Sequence, residues 1–134
     1  MILADASVWI DYLEGRDTSA ATDLGRLLGV ETQLIADLTL MEVLQGIRTE
    51  QQYERTLFRL AALPVITVGG ADLARRAAQN YRWLRARCIT VRKTIATLIA
   101  TRCIIDGHAL LFSDRDFEPF VAHLGLIDAL TLET

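Results

Sequence analysis

Sulfur and imidazole are scarce in this 134-residue chain, which has two cysteines, Cys88 and Cys103, and two isolated histidines, His108 and His123. That scarcity excludes a disulfide scaffold and a zinc ligand set, and leaves two reduced, packing cysteines as the expectation. No charge-free run approaches the ~20 residues that a membrane-spanning helix needs. The basic start, short apolar core and small-residue cleavage site of an export signal are also missing, so a cytoplasmic protein with no membrane partner is expected. There is no glycine-rich phosphate loop, no internal repeat and no low-complexity tract. With hydrophobic residues at 51% and charged residues at 23%, disorder is excluded, and one domain spanning residues 1–134 is expected.

The most informative absence is of acid. Between Asp72 and Asp106 there is no Asp or Glu, whereas Arg75, Arg76, Arg82, Arg85, Arg87, Arg92, Lys93 and Arg102 all fall there. A chain of net charge −3 therefore contains an interval of +8, and the remainder sets six bases against the full 17 acids. Thirteen of the 14 basic residues are arginine, whose planar fork suits phosphate oxygens. This asymmetry points to a polyanion bound by one face and a cation by another, against the plainer alternative of a solvated arginine-rich helix.

Short apolar runs alternate with longer amphipathic ones. Met1–Ala4, Gln33–Ala36, Pro64–Val68 and Ala109–Phe112 read as buried strands, with Leu124–Ile127 a weaker fifth. Ser7–Glu14, Ser19–Leu28, Thr39–Ile47, Gln51–Ala61, Ala71–Arg85 and Thr94–Ile105 read as helices, the last apolar nearly all round and so central. Strands that are apolar throughout and separated by helices predict an α/β fold with a parallel sheet of four to five strands covered on both faces. Ligands bind such sheets beyond the carboxyl ends of the strands.

Acids follow three of those ends. Asp5 comes after the first strand, Asp37 and Glu42 after the second, and Asp114 and Asp116 after the fourth. Each has a structural explanation. Asp5 or Ser7 has the position of a helix cap, Thr39 with Glu42 has the spacing of a capping box, and Ser113 with Asp116 has that spacing too. Taken together they have another. Asp5, Glu42, Asp114 and Asp116 are expected to converge, and grouped carboxylates need an offsetting cation. Hard oxygen ligands without cysteine favour Mg²⁺ or Mn²⁺. Such an ion beside arginines is suited to phosphodiester hydrolysis.

The segments Met1-Ile-Leu-Ala-Asp5-Ala-Ser7-Val-Trp9-Ile-Asp11, Leu40-Met-Glu42-Val-Leu-Gln45-Gly46-Ile, Arg92-Lys-Thr-Ile and Ser113-Asp114-Arg115-Asp116-Phe117 resemble the PIN-domain ribonucleases, and among them the VapC toxins of type II toxin-antitoxin pairs. The resemblance spans essentially the whole chain. It implies a three-layer α/β/α PIN-like fold and a Mg²⁺-dependent endoribonuclease acting on tRNA or other structured RNA. It also implies a homodimer neutralised by a VapB-type antitoxin, with higher hetero-oligomers between the two. Carried over by position, Asp5, Glu42, Asp114 and Asp116 form the acidic site, with Asp5, Asp114 and Asp116 on metal. Ser7 and Ser113 support them. The basic segment Arg75 to Arg102, with Arg75, Arg76, Arg82, Arg85, Arg87, Arg92 and Lys93, is by its charge the expected RNA-facing surface.

One position departs from the pattern. The family commonly reads Arg-Lys-Thr-Ile-Asp where this chain reads Arg92-Lys93-Thr94-Ile95-Ala96, so the acid of the central helix is missing, through either a disarming substitution or natural degeneration. A catalytically silent module that binds RNA and antitoxin is the alternative that Ala96 favours. A phosphohydrolase of small esters is disfavoured by the late position of the Asp114/Asp116 pair. Trp9 is expected in the core or an interface, and Trp83 and Tyr81, which lie among the arginines, are expected to pack beneath their helix rather than stack an unpaired base. The apolar excess of Leu40–Ala61 is expected to cover a partner helix or a second subunit. Ala96→Asp is expected to raise Mg²⁺-dependent cleavage of a tRNA pool well above that of the parent chain. Equal rates in a gel assay would show that position 96 is immaterial.

Overall fold

Strands buried on both faces cannot be joined by tight turns when they run parallel, so each connection must cross over through a helix. A computed structural model, which describes residues 1–133, has this architecture. The elements run β1 (Ile2–Ala4), α1 (Ala6–Leu13), α2 (Ser19–Leu27), β2 (Gln33–Ala36), α3 (Asp37–Gln45), α4 (Glu50–Leu60), β3 (Val65–Ile66), α5 (Ala71–Arg85), α6 (Thr94–Asp106), β4 (Ala109–Leu111), α7 (Glu118–His123) and β5 (Ile127–Asp128). The five strands are ordered β3-β2-β1-β4-β5 in one sheet. Ile2 pairs in parallel with Gln33, Ile35 with Val65, and Ala109 with Ile127. The expected α/β class and parallel five-stranded sheet are present.

The chain packs as two compact units, one of residues 1–67 with Leu111–Ser113, the other from Val68 to Leu110 and from Asp114 onward. In the first, α1 packs on α2 and α3, with Val8, Trp9, Leu24, Leu27 and Val43 buried. In the second, α5 packs on α6. Leu73, Ala77 and Leu84 of α5 and Ala96, Ile99, Ala100 and Cys103 of α6 are buried there, as are Phe117 and Phe120. The apolar α6 is thus as deeply placed as its sequence implies. Trp9 is a core residue, set edge-on to Tyr12.

Several details differ from the sequence reading. β3 is two residues long and Val65 is 53% exposed, as an edge strand that pairs on one side only. The last strand begins at Ile127, since Gly125 breaks the chain at φ +85 after α7. α3 starts at Asp37, two residues early. The six-residue α7 was too short to show a helical period. Cys88 is exposed rather than packed. It sits at φ +63 where α5 ends, its N–H bonded to Arg85 O and that of Ile89 to Leu84 O, a position set by the helix terminus rather than by burial.

Cys103 lies fully buried on α6, and burial pushes its thiol up to about 12, with Asp106 adding to the rise and Arg102 opposing it. A neutral, enclosed thiol does not react. Ellman's reagent is therefore expected to titrate one thiol in the native protein and two in denaturant. Cys88→Ser is expected to remove the native signal, and a native count of two would contradict the packing of α6.

Candidate active site

In the first unit, Asp5 follows β1 with an extended backbone and occupies the cap position of α1, yet its side chain does not cap the helix. Its N–H is bonded to Leu111 O at 2.9 Å, which ties it to the end of β4. Asp5 Oδ2 accepts a hydrogen bond from Ser7 Oγ at 2.9 Å, and Ser7 Oγ lies 3.4 Å from Ser113 Oγ. Two hydroxyls 106 residues apart thus meet each other, and the Ser7 hydroxyl orients the Asp5 carboxylate. Glu42 stands half-buried on α3, the helix packed against α1. The capping box expected of Thr39 and Glu42 does not form. Ala36 holds the cap position of α3, Thr39 is inside the helix and buried, and Asp37 Oδ1 instead accepts the Leu38 N–H at 2.8 Å.

In the second unit, Asp114 is the residue that caps, accepting the Asp116 N–H on Oδ1 at 2.9 Å, so Ser113 is not the cap. Its other oxygen, Oδ2, accepts from Lys93 Nζ at 2.5 Å. Asp116 Oδ2 accepts the backbone N–H of Arg92 at 3.2 Å. Burial by itself raises the Asp114 carboxyl. The Lys93 hydrogen bond, the Asp116 amide and the Lys93 charge outweigh it and hold the group below the ordinary carboxylate range. The partner Lys93 was missed by the sequence reading, which grouped it with the RNA-facing bases. Its signal was that it is the single lysine of the chain. Ala96 is buried in the first turn of α6 and offers no donor atom.

The carboxylate oxygens of Asp5 in the first unit, and of Asp114 and Asp116 in the second, are hard donors of the kind that divalent ions take. They fall short in number. Among the described residues no three His, Cys, Asp or Glu side chains are grouped to hold a metal. Ala96 supplies no oxygen, and Asp114 Oδ2 faces an ammonium.

The basic interval is not one uniform face. Arg75 is paired with Asp72 at 2.6 Å and Arg102 with Asp106 at 2.5 Å, and together with Arg76 they line a polar cleft of about 660 Å³. That cleft joins the start of α5 to the end of α6. At the other end of the pair, Arg82 lines a cleft of about 390 Å³ with Thr94 and Thr97. Arg85 lies over the Tyr81 ring at 5.5 Å, and Arg87 over Trp83 at 3.5 Å while donating to its carbonyl. Trp83 is 37% exposed, and the His123 ring lies 6.1 Å from it. Arg76, Arg82 and Arg92 are exposed. In the first unit, Ile10, Leu13, Val43 and Ile47 line a further cleft of about 460 Å³, and Met41 and Phe58 are exposed.

Residues 2–121 match the family described as PIN domain. A VapC ribonuclease of Mycobacterium bovis is 36% identical over 121 residues, which are 88% of this chain and 90% of that protein. Ribonuclease VapC11 of Mycobacterium tuberculosis matches to the same extent. Of solved structures, a toxin-antitoxin complex from Klebsiella pneumoniae is similar at a TM-score of 0.70, with 22% identity over 95% of this chain and 96% of that one. VapBC2 from Rickettsia felis, bound to a DNA fragment from its promoter, is similar at 0.71, with 19% identity and coverage of 95% and 96%. At these identities the two structures establish likeness of fold.

A carboxylate whose folded value is depressed stabilises the fold above the ordinary carboxylate range, and that contribution is lost as pH falls through its folded value. Asp114→Asn is therefore expected to lower the urea midpoint at pH 7, with the difference from the parent shrinking as pH falls below 4. A difference that stays constant with pH would show that the Asp114 charge does not contribute.

Proposed function

The chain belongs to the PIN-domain family, and from that footing we propose that it is a Mg²⁺- or Mn²⁺-dependent endoribonuclease, the toxin of a type II toxin-antitoxin pair. The observation that carries this reading is the orientation of the acids. Ser7 aims Asp5, the Asp116 amide aims Asp114, and the Arg92 amide aims Asp116. Held carboxylates of this kind suit a divalent ion better than they suit one another.

Asp5, Asp114 and Asp116 would hold the ion, which when bound supplies a Lewis acid for the phosphoryl oxygen and acidifies an attacking water. Glu42 would act on the ion directly or through water, and Ser7, whose hydroxyl also meets that of Ser113, would hold the Asp5 carboxylate in place. Arg76, Arg82 and Arg92 meet the phosphate backbone of tRNA or other structured RNA. The exposed Met41 and Phe58 and the cleft lined by Val43 and Ile47 suit the apolar side of a VapB-type antitoxin. A homodimer and a cytoplasmic setting complete the reading. Among the described residues no helix is long and apolar enough to cross a membrane. Ala96 leaves the donor set one acid short, so activity of this chain is weak. It also favours a second reading, in which the chain binds RNA and antitoxin without cutting.

Salt dependence tests the RNA face. Each phosphate contact adds about one unit to the slope of log affinity against log salt, so Arg76→Ala with Arg82→Ala is expected to reduce that slope by about 2. Filter binding of a tRNA pool at graded salt measures it. An unchanged slope would remove these arginines from the interface.

A further inference from the structure

The arginines of α5 and α6 find different partners at the two ends of the helix pair. Arg75 and Arg102 are each tied to an acid of their own helix. Arg85 and Arg87, where α5 ends, lie instead over the aromatic rings four residues before them, Tyr81 and Trp83. A ring covers a guanidinium without neutralising it, so this end keeps its positive charge inside the interval that holds no acid.

Arg87 is the more closely held of the two. Its Cζ stands 3.5 Å from the centre of the Trp83 ring, in van der Waals contact, against 5.5 Å for Arg85 over Tyr81. Its Nη1 donates to the Trp83 carbonyl at 3.0 Å and its backbone N–H to Leu84 O at 2.9 Å, so the head and the root of the side chain are both fixed. The His123 ring of α7, tilted by 50°, lies beside the same indole. Trp83 and Arg87 nevertheless remain exposed, so the indole is not packed beneath its helix.

We propose that Arg87, laid on Trp83, is a stacking platform for an unpaired base of RNA. The base lies on the outer face of the guanidinium as a third layer over the indole, and the exposed Arg82 and Arg85 take the adjoining phosphates. The platform rests on the reading of the basic interval as an RNA surface, and adds that this end of it takes unpaired nucleotides. Charge alone would serve an acidic polypeptide equally well. A planar cation already laid on an aromatic ring suits the π-face of a base, which a carboxylate lacks, and its ordering is complete before the base arrives.

Hexaadenylate and an abasic ribose-phosphate hexamer carry the same phosphates and differ in their bases. The ratio of their affinities for the full chain, measured by fluorescence anisotropy, therefore reads stacking apart from charge. The parent is expected to bind hexaadenylate about tenfold more tightly than the abasic hexamer. Its tryptophan emission is expected to be quenched by hexaadenylate, and Trp83→Leu to lose both the quenching and the preference. Arg87→Lys, which keeps the charge and removes the plane, is expected to bring the ratio near one. If the parent binds both hexamers equally, or Arg87→Lys keeps the preference, the platform is overturned and the charged RNA face stands. Polyglutamate of equal charge bound as tightly as hexaadenylate would overturn the platform in favour of an acidic polypeptide. If neither hexamer binds the parent, the RNA face falls and the platform with it.

Discussion

Carboxylates set side by side repel, and a fold that places Asp114 and Asp116 two residues apart must compensate both. The second unit does so with backbone amides and one ammonium: Asp116 N–H and Lys93 Nζ on Asp114, Arg92 N–H on Asp116. The net effect on Asp114 is to hold it ionised despite the burial that opposes ionisation. Residues 92 and 93 therefore act at the site through position rather than as members of a diffuse basic surface. They are available there because the chain passes them immediately before entering α6.

The same economy governs the first unit. Asp5 has the cap position of α1 but leaves the helix uncapped, and its carboxylate is turned to Ser7. A cap contributes about 1 kcal/mol, so a cap position whose carboxylate serves another partner is more informative than an acid in a loop. Asp114 combines both uses, closing the turn over Arg115–Phe117 with one oxygen while presenting the other to Lys93.

Much of this was legible beforehand. Apolar runs of period neither two nor 3.6 identified buried parallel strands, and the residues just past them identified the acids. Where legibility failed, the cause was local. Thr39 and Glu42 have capping-box spacing, but β2 feeds directly into α3 at Asp37, so the helix had already begun. The charge count could not show that Arg75 and Arg102 are each paired with an acid of their own helix. Cys88 read as a packing residue because cysteine usually is, yet a helix terminus placed it at positive φ in solvent.

The order of residues along the chain was enough for the α/β class, for every element but α7, for the acid-free basic interval and for the lack of an acid at position 96. These depend on periodicity and composition, which are properties of the chain in order. Folding in three dimensions sets the Ser7 hydroxyl between Asp5 and Ser113, pairs Lys93 with Asp114, and divides the arginines between the two ends of α5 and α6. Those are pairings across 21 to 106 residues. No spacing along the chain encodes them, because hydrogen bonds and charges respond to distance in space.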